Sequence, residues 1–309
     1  MSTSRSAVLA TLIAGLLWGS SFTVVKLGLR SIDPFWFVFL RFAAASAVAL
    51  AVNAAAGRAG EVGRMMRNPL VIWLGVSNAA GFVLQFNGQT MTSAANAALL
   101  INASTIFVAI GSRLVFRERF GPAKVLAVVS GMAGVYLVST GGRLTSLGGP
   151  SMRGDLLVLA ASFLWTFFIL LDKKIVADDD IDVRALTGAM VIVTAIAALP
   201  AALLFARDSF PTWSVDLWAV AYTAVFCTVV PFFLWTWGLR HITATTSSVI
   251  MLAEVVFALG LAAVVLGDRL SPGAMVGSAL ILSAVALVTR DKAEGAPVGP
   301  DVAPEWPVE

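Results

Sequence analysis

The chain has 309 residues, of which 59% are hydrophobic and only 13% are charged, and its formal net charge is +3. Soluble domains carry about a quarter charged residues, so this composition excludes an ordinary soluble globular protein, and lipid must surround much of the chain. With a single cysteine and a single histidine, an internal disulfide is impossible and a Cys/His metal site is not expected. We predict no metal and no other cofactor.

Ten apolar segments follow one another, and each is long enough to cross the hydrocarbon core, which takes about 20 helical residues. Proline, glycine or charged residues separate them. The predicted spans lie at about residues 7–27, 34–56, 69–90, 94–116, 122–140, 154–175, 183–206, 214–238, 243–267 and 272–289. We expect the first apolar segment to be retained as a helix, because no small-residue cleavage pattern follows it.

Polar and aromatic residues inside the spans are candidates for a solute pathway, because such side chains are poor choices against lipid. In the first span, Trp18 lies away from the interfacial belt that tryptophan usually occupies. It is either a gate or stacking surface or a packing residue. In the second span, Arg41 lies about 10 Å inside the membrane, and we expect it to extend toward the interface in a structural role.

The third span carries three amide side chains, Asn78, Gln85 and Gln89, at intervals of seven and four residues. This spacing places them on one face of a helix. They either line a cavity or form hydrogen bonds with a neighbouring helix. Asn102 in the fourth span raises the same two alternatives.

In the second half of the chain, Trp165 in the sixth span and Trp235 in the eighth raise the question already raised by Trp18. Glu254 lies near the middle of the ninth predicted span. A carboxylate there costs at least ~2.5 kcal/mol, so it must be protonated, paired or in contact with water. We predict that Glu254 binds an amine or a proton and is the coupling residue; the alternative is a neutral glutamic acid that hydrogen-bonds a neighbouring helix.

The two halves of the chain are related in sequence. A shift of 150 residues aligns positions 82–139 with 232–289 without a gap, and a shift of 147 places Trp18 on Trp165. Further aligned pairs are Phe82 with Phe232, Gly88 with Gly238, Phe107 with Phe257, Pro122 with Pro272 and Lys26 with Lys173. The copies differ where Gln85 meets Trp235 and Ser104 meets Glu254, and we expect the solute near these mismatched pairs.

Five spans is an odd number, so consecutive copies cross the membrane in opposite directions. The predicted fold is therefore an all-α polytopic membrane protein with ten transmembrane helices in two inverted five-helix repeats, at residues 1–141 and 150–290. Such repeats are typical of secondary transporters, whose substrate site lies near the midplane between the halves. The polar, proline-rich residues 291–309 are predicted to form a disordered cytoplasmic tail.

The distribution of basic residues predicts the orientation. If the N-terminus is cytoplasmic, fourteen of the 21 Lys and Arg residues lie on the cytoplasmic side and six on the other, with Arg41 inside a span. Positive residues concentrate in cytoplasmic loops. We therefore predict that both termini lie in the cytoplasm, and we expect the protein in the plasma membrane of a bacterium.

Several short motifs resemble those of one family. They are Leu17-Trp18-Gly19-Ser20-Ser21-Phe22 running to Lys26, Asp33-Pro34 followed by Arg41-Phe42, Glu118-Arg119 before Pro122, and Asp268-Arg269 before Pro272. In their order and spacing the chain resembles the EamA-type members of the drug/metabolite transporter superfamily. That family usually has proline in the fourth and ninth helices, where this chain has Thr105 and Val255. The resemblance implies export of amino acids or other metabolites, or uptake of sugars and nucleotide sugars.

These observations favour a secondary transporter that moves a small organic solute by alternating access, most simply an exporter of an amino acid or related metabolite. Its partners would be the solute, the lipid bilayer and protons, without nucleic acid. One alternative is a non-transporting membrane partner, such as a helper subunit of a flippase for a lipid-linked substrate. Another is an intramembrane enzyme, against which the lack of HExxH and GxSxG motifs argues, so we expect no enzymatic activity.

Overall fold

The computed structural model describes residues 3–92, 94–141, 152–207, 217–266 and 271–290. Within these ranges every regular element is a helix. The helices are α1 (Thr3–Gly28), α2 (Pro34–Ala55), α3 (Ala59–Met65), α4 (Pro69–Gln89), α5 (Ala94–Asn102), α6 (Ser104–Val115), α7 (Pro122–Thr140), α8 (Met152–Ile175), α9 (Val183–Phe205), α10 (Leu217–Ala224), α11 (Val230–His241), α12 (Ala244–Met251), α13 (Ala253–Leu266) and α14 (Pro272–Arg290). The predicted tail at 291–309 and the Asp268-Arg269 pair lie outside the described residues.

Among the described residues, ten helical segments are long and apolar enough to cross a membrane, which confirms the predicted fold class. The fourth span consists of α5 and α6, the eighth of α10 and α11 joined by a π-helical turn at Val225–Val229, and the ninth of α12 and α13. The short helix α3 connects the second and third spans. We call the side of the membrane on which α1 begins the N side, and the opposite side the far side.

Capping residues explain where several spans begin. The Asp33 side chain accepts a hydrogen bond from the backbone N–H of Phe35 at 2.9 Å, and Asn68 does the same for Leu70 at 2.9 Å. A proline follows each cap at the first helical position, where its missing N–H costs nothing. The Asp-Pro and Asn-Pro pairs of the sequence therefore start α2 and α4.

Equivalent contacts in the two halves show the inverted repeat in three dimensions. A Cβ atom added to Gly88 in α4 would lie 2.7 Å from Cγ2 of Val158 in α8, and one added to Gly238 in α11 would lie 2.5 Å from Oγ1 of Thr11 in α1. The sequence shifts pair Gly88 with Gly238 and Thr11 with Val158. The contact of α4 with α8 therefore repeats the contact of α11 with α1, and glycine permits the close approach in both.

Two further interfaces join spans that are equivalent to each other. The fifth span packs on the tenth, and the second packs on the seventh. At the first of these interfaces, a Cβ atom on Gly134 would lie 2.6 Å from the carbonyl oxygen of Gly277, and the reverse contact is also 2.6 Å. The two halves are thus packed against each other over several interfaces, with the remaining spans around a central space.

The fourth and ninth spans are interrupted near their middles, although neither has proline at the family's usual position. Each interruption is a tightened turn. Ile106 N donates to Ala103 O at 3.0 Å, and Val255 N donates to Leu252 O at 3.1 Å, so both bonds span three residues instead of four. Such turns mark places where a helix can bend. They divide α5 from α6 and α12 from α13.

Candidate functional site

A cavity of about 380 Å³ lies between the two halves, within the size range of small-molecule sites. Its lining residues come from the first to fourth spans and from the sixth, eighth and ninth spans. On the far side the lining reaches Leu29 and Gln89, at the ends of α1 and α4, whereas toward the N side it ends at Trp235 and Ser248. The cavity therefore extends from the far side to the interior of the membrane.

Seven of the eight residues predicted from the sequence lie together along this cavity. They are Trp18, Gln85, Gln89, Asn102, Trp165, Trp235 and Glu254. They belong to the first, third, fourth, sixth, eighth and ninth spans, which surround the same central space. Their role in binding a solute stays a prediction.

Asn78 does not line the cavity, so the structure departs from the predicted stripe at this residue. Its side chain is fully buried, and its amide nitrogen donates to Thr194 Oγ1 of α9 at 3.1 Å. Asn78 lies seven residues before Gln85, or about 10 Å nearer the N side, beyond the inner end of the cavity. Asn78 therefore forms a hydrogen bond between helices, which was the alternative to a position in the cavity wall.

Two pairs of aromatic rings form repeat-related walls of the cavity. Trp18 contacts Phe232 edge to face with the ring centroids 5.1 Å apart, and Trp165 contacts Phe82 in the same manner at 4.9 Å. The sequence shifts relate these two pairs. Opposing indole and phenyl rings give the cavity apolar faces on which a flat or aliphatic group can pack.

The two repeats differ beside these walls, at the pair of Gln85 and Trp235 that the sequence comparison identified. Trp165 Nε1 donates to Gln85 Oε1 at 2.9 Å. In the other half, Trp235 takes the place of Gln85, and it contacts Trp18 ring to ring at 6.2 Å. One half thus offers a polar amide where the other offers an aromatic surface.

Arg41 departs most from its prediction. It is only 2% exposed and lines the cavity instead of extending to the interface. Its Nε donates to Thr228 Oγ1 at 2.7 Å, and its Nη2 donates to the carbonyl oxygen of Cys227. The guanidinium also lies 4.9 Å from the ring centroid of Phe82, a cation–π contact.

Proline explains why the Cys227 carbonyl is available to Arg41. Pro231 is four residues further along the eighth span and has no N–H to donate to that oxygen. The helix widens into the π turn just before Pro231, and Trp18 Nε1 donates to the same carbonyl at 3.0 Å. The proline was the sequence signal that could have located the partner of Arg41.

Glu254 and Arg41 both line the cavity, and the guanidinium of Arg41 would attract the carboxylate form of Glu254. They do not form a direct ion pair within 4.0 Å, and the described residues provide no hydrogen bond to the Glu254 carboxylate. The Glu254 side chain is partly exposed in the cavity. A carboxylate in this position can accept a proton or pair with an amine.

Comparisons with known proteins agree over nearly the whole chain. The EamA-like transporter family matches twice, at residues 5–140 and 152–290. An uncharacterized transporter of Archaeoglobus fulgidus is 28% identical over 277 residues, which cover 89% of this chain and 94% of the relative. The uncharacterized inner membrane transporter YedA of Escherichia coli K12 is 27% identical over 283 residues, or 90% of this chain and 88% of YedA.

A solved structure shares this fold. It is a crystal structure of a protein that superimposes with a TM-score of 0.80 at 20% sequence identity. The match covers 92% of this chain and 96% of that chain.

Proposed function

Because the chain belongs to the EamA-like transporter family, we propose that it is a secondary transporter that carries a small organic solute across the membrane by alternating access. We propose further that it exports an amino acid or a related metabolite. The observation that carries the proposal is the central cavity, in which an unpaired carboxylate lies beside aromatic walls and amide side chains.

The charges of the cavity suit a solute that contains an amine. Glu254 would pair with the ammonium group, while the buried Arg41 balances the charge of the carboxylate when the solute is absent. Trp18 and Trp165 would pack on the apolar part of the solute, and the amides of Gln89 and Asn102 would hydrogen-bond its polar groups. An organic amine of amino-acid size is the solute class for which this arrangement is best suited.

Competition at Glu254 would couple solute movement to protons. A proton and an ammonium group cannot both neutralise one carboxylate, so protonation on one side of the membrane would release the solute there. With both termini in the cytoplasm of a bacterial cell, the N side faces the cytoplasm and the cavity faces outward. An inward proton gradient would then drive the solute out.

Proteoliposomes that contain the purified protein test this function. We expect radiolabelled L-amino acids, presented one at a time, to include at least one that crosses the membrane faster than in empty liposomes. A pH gradient should accelerate its movement against the proton flow. If every amino acid moves at the rate of empty liposomes, the proposed solute class is wrong.

A further inference from the structure

A buried ion pair lies on the N side, outside the cavity. Glu118 and Lys124 flank the start of α7, and Lys124 Nζ lies 2.8 Å from Glu118 Oε1, with side-chain exposures of 1% and 4% for Lys124 and Glu118. The Ser112 hydroxyl donates to the other carboxylate oxygen. Removing two charges from water is costly, so a buried pair is weak evidence for stability and calls for another explanation.

The ion pair of the first half holds the beginning of α12 in the second half. Thr245 Oγ1 donates to Glu118 Oε2 at 2.9 Å, and Lys124 Nζ donates to Thr243 Oγ1 at 3.3 Å. Thr243 is also the N-cap of α12, where its hydroxyl accepts from the N–H of Thr246 at 3.2 Å. A carboxylate close to a helix N-terminus is further stabilised by the helix dipole.

The helix α12 separates the cavity from the N side. Every residue from Ala244 to Ile250 is at most 4% exposed. At its inner end, Ser248 and Met251 line the cavity. The tightened turn at Leu252 divides α12 from α13, which carries Glu254, and such turns are places where a helix can bend.

The far side has a different contact at the start of α5, where Asp155 of α8 accepts hydrogen bonds from Thr92 and from Asn96. The shift of 150 residues places Ala274 on Lys124, Ala95 on Thr245 and Ser93 on Thr243, so the ammonium group of Lys124 and the hydroxyl group of Thr245 have no counterpart in the sequence. In the equivalent stretch of α5, Ala98, Leu99 and Leu100 are partly exposed. Each end thus has a carboxylate near the start of α12 or α5, but Lys124 has no basic counterpart at the repeat-related position on the far side.

The Glu118 carboxyl is held in its charged form. Burial by itself raises the pKa of this carboxyl, but the charge of Lys124 and the hydrogen bonds from Lys124 and Ser112 outweigh burial, and the pKa lies below its ordinary value. The attraction between Glu118 and Lys124 thus persists at neutral pH.

We propose that Glu118 and Lys124 form a latch that positions α12 and keeps the N side of the cavity closed, and that this latch opens when solute passes to or from the N side. The purpose of the latch rests on the proposed alternating-access function. Opening would separate Thr243 and Thr245 from the ion pair and carry α12 away from the first half. The Glu118–Lys124 ion pair would then favour the far-side-open state at rest.

Cysteine labelling tests the latch without any solute. Ser247→Cys places a reporter on α12, where the serine is fully buried and its hydroxyl has no hydrogen-bond partner. The background is Cys227→Ala, which removes the native cysteine. A membrane-impermeant maleimide is added to inside-out or right-side-out vesicles, so that each side is labelled separately.

Lys124→Met should accelerate labelling of the Ser247→Cys reporter from the N side by about tenfold, equivalent to about 1.4 kcal/mol. The double variant Glu118→Lys/Lys124→Glu should return the rate toward that of the parent. A second reporter, Ser104→Cys in the cavity, should label more slowly from the far side when Lys124 is replaced, since opening one side closes the other.

The matched control is Arg58→Gln, which breaks an N-side ion pair with Asp182 at 2.8 Å whose side chains are 28% and 29% exposed. The latch is refuted if Lys124→Met leaves labelling of the Ser247→Cys reporter unchanged, or if Arg58→Gln accelerates this labelling equally. It is also refuted if both reporters label faster from both sides of the membrane, because such labelling indicates loss of the fold. Suppose that labelling of the Ser247→Cys reporter rises and labelling of the Ser104→Cys reporter falls, but the protein transports no amino acid. This result would overturn the proposed solute class and would still support the latch. Unchanged labelling in an active transporter would overturn the latch alone.

Discussion

Glu254→Gln is expected to abolish transport driven by a pH gradient. Glutamine keeps the size and hydrogen-bonding capacity of the side chain but can neither take up a proton nor pair with an ammonium group. A hydrogen bond to a charged group contributes about 1.5–3 kcal/mol, so we expect solute affinity to fall by about tenfold or more. Flux of a radiolabelled amino acid into proteoliposomes, with and without the gradient, measures both effects.

The control for this experiment is Glu61→Gln, the same substitution in the connecting helix α3, outside the cavity. It should transport at the parent rate and keep its response to the gradient. If Glu254→Gln also transports normally and keeps its proton dependence, Glu254 is not the coupling residue.

Arg41→Gln is expected to lower the stability of the protein more than replacement of an exposed arginine. The variant loses two hydrogen bonds from a charged group, to Thr228 and Cys227, and the contact with Phe82. At about 1.5–3 kcal/mol for each such bond, the free energy of unfolding should fall by about 3 kcal/mol or more. Thermal unfolding of the purified protein in detergent measures the change as a fall of several degrees in the melting temperature.

Arg58→Gln provides the comparison, because Arg58 forms a partly exposed ion pair with Asp182. Such surface pairs contribute about 0.2–1 kcal/mol, so its melting temperature should change little. Equal melting temperatures for the two variants would show that the contacts of Arg41 do not stabilise the π turn.

Much of the architecture could be predicted from the sequence because lipid imposes simple demands. A span needs a fixed length of apolar helix, and Asp33-Pro34 and Asn68-Pro69 mark starts that the structure confirms as capped helices. The aligned glycines Gly88 and Gly238 then made matching contacts in both halves. Hydropathy and repetition are local or periodic signals, so one sequence suffices to detect them.

The interior contacts were harder to predict because they depend on which helix faces which. Arg41 was expected at the interface, but its partner is a carbonyl that Pro231 leaves without a donor almost two hundred residues away. Asn78 shares a helix stripe with Gln85, yet the cavity ends between them. The Glu118–Lys124 pair joins residues six positions apart, but its contacts with Thr243 and Thr245 exist only in the packed structure.

We propose that solute passes through the cavity between the two halves. The most direct test compares metabolites in the medium of cells that make the parent protein or the Ser104→Trp variant, which places a large side chain in the cavity. Both proteins must reach the membrane in equal amounts with similar melting temperatures. We predict that one or a few small amines accumulate outside cells that make the parent protein and not outside cells that make the variant. Indistinguishable metabolite profiles would contradict the claim.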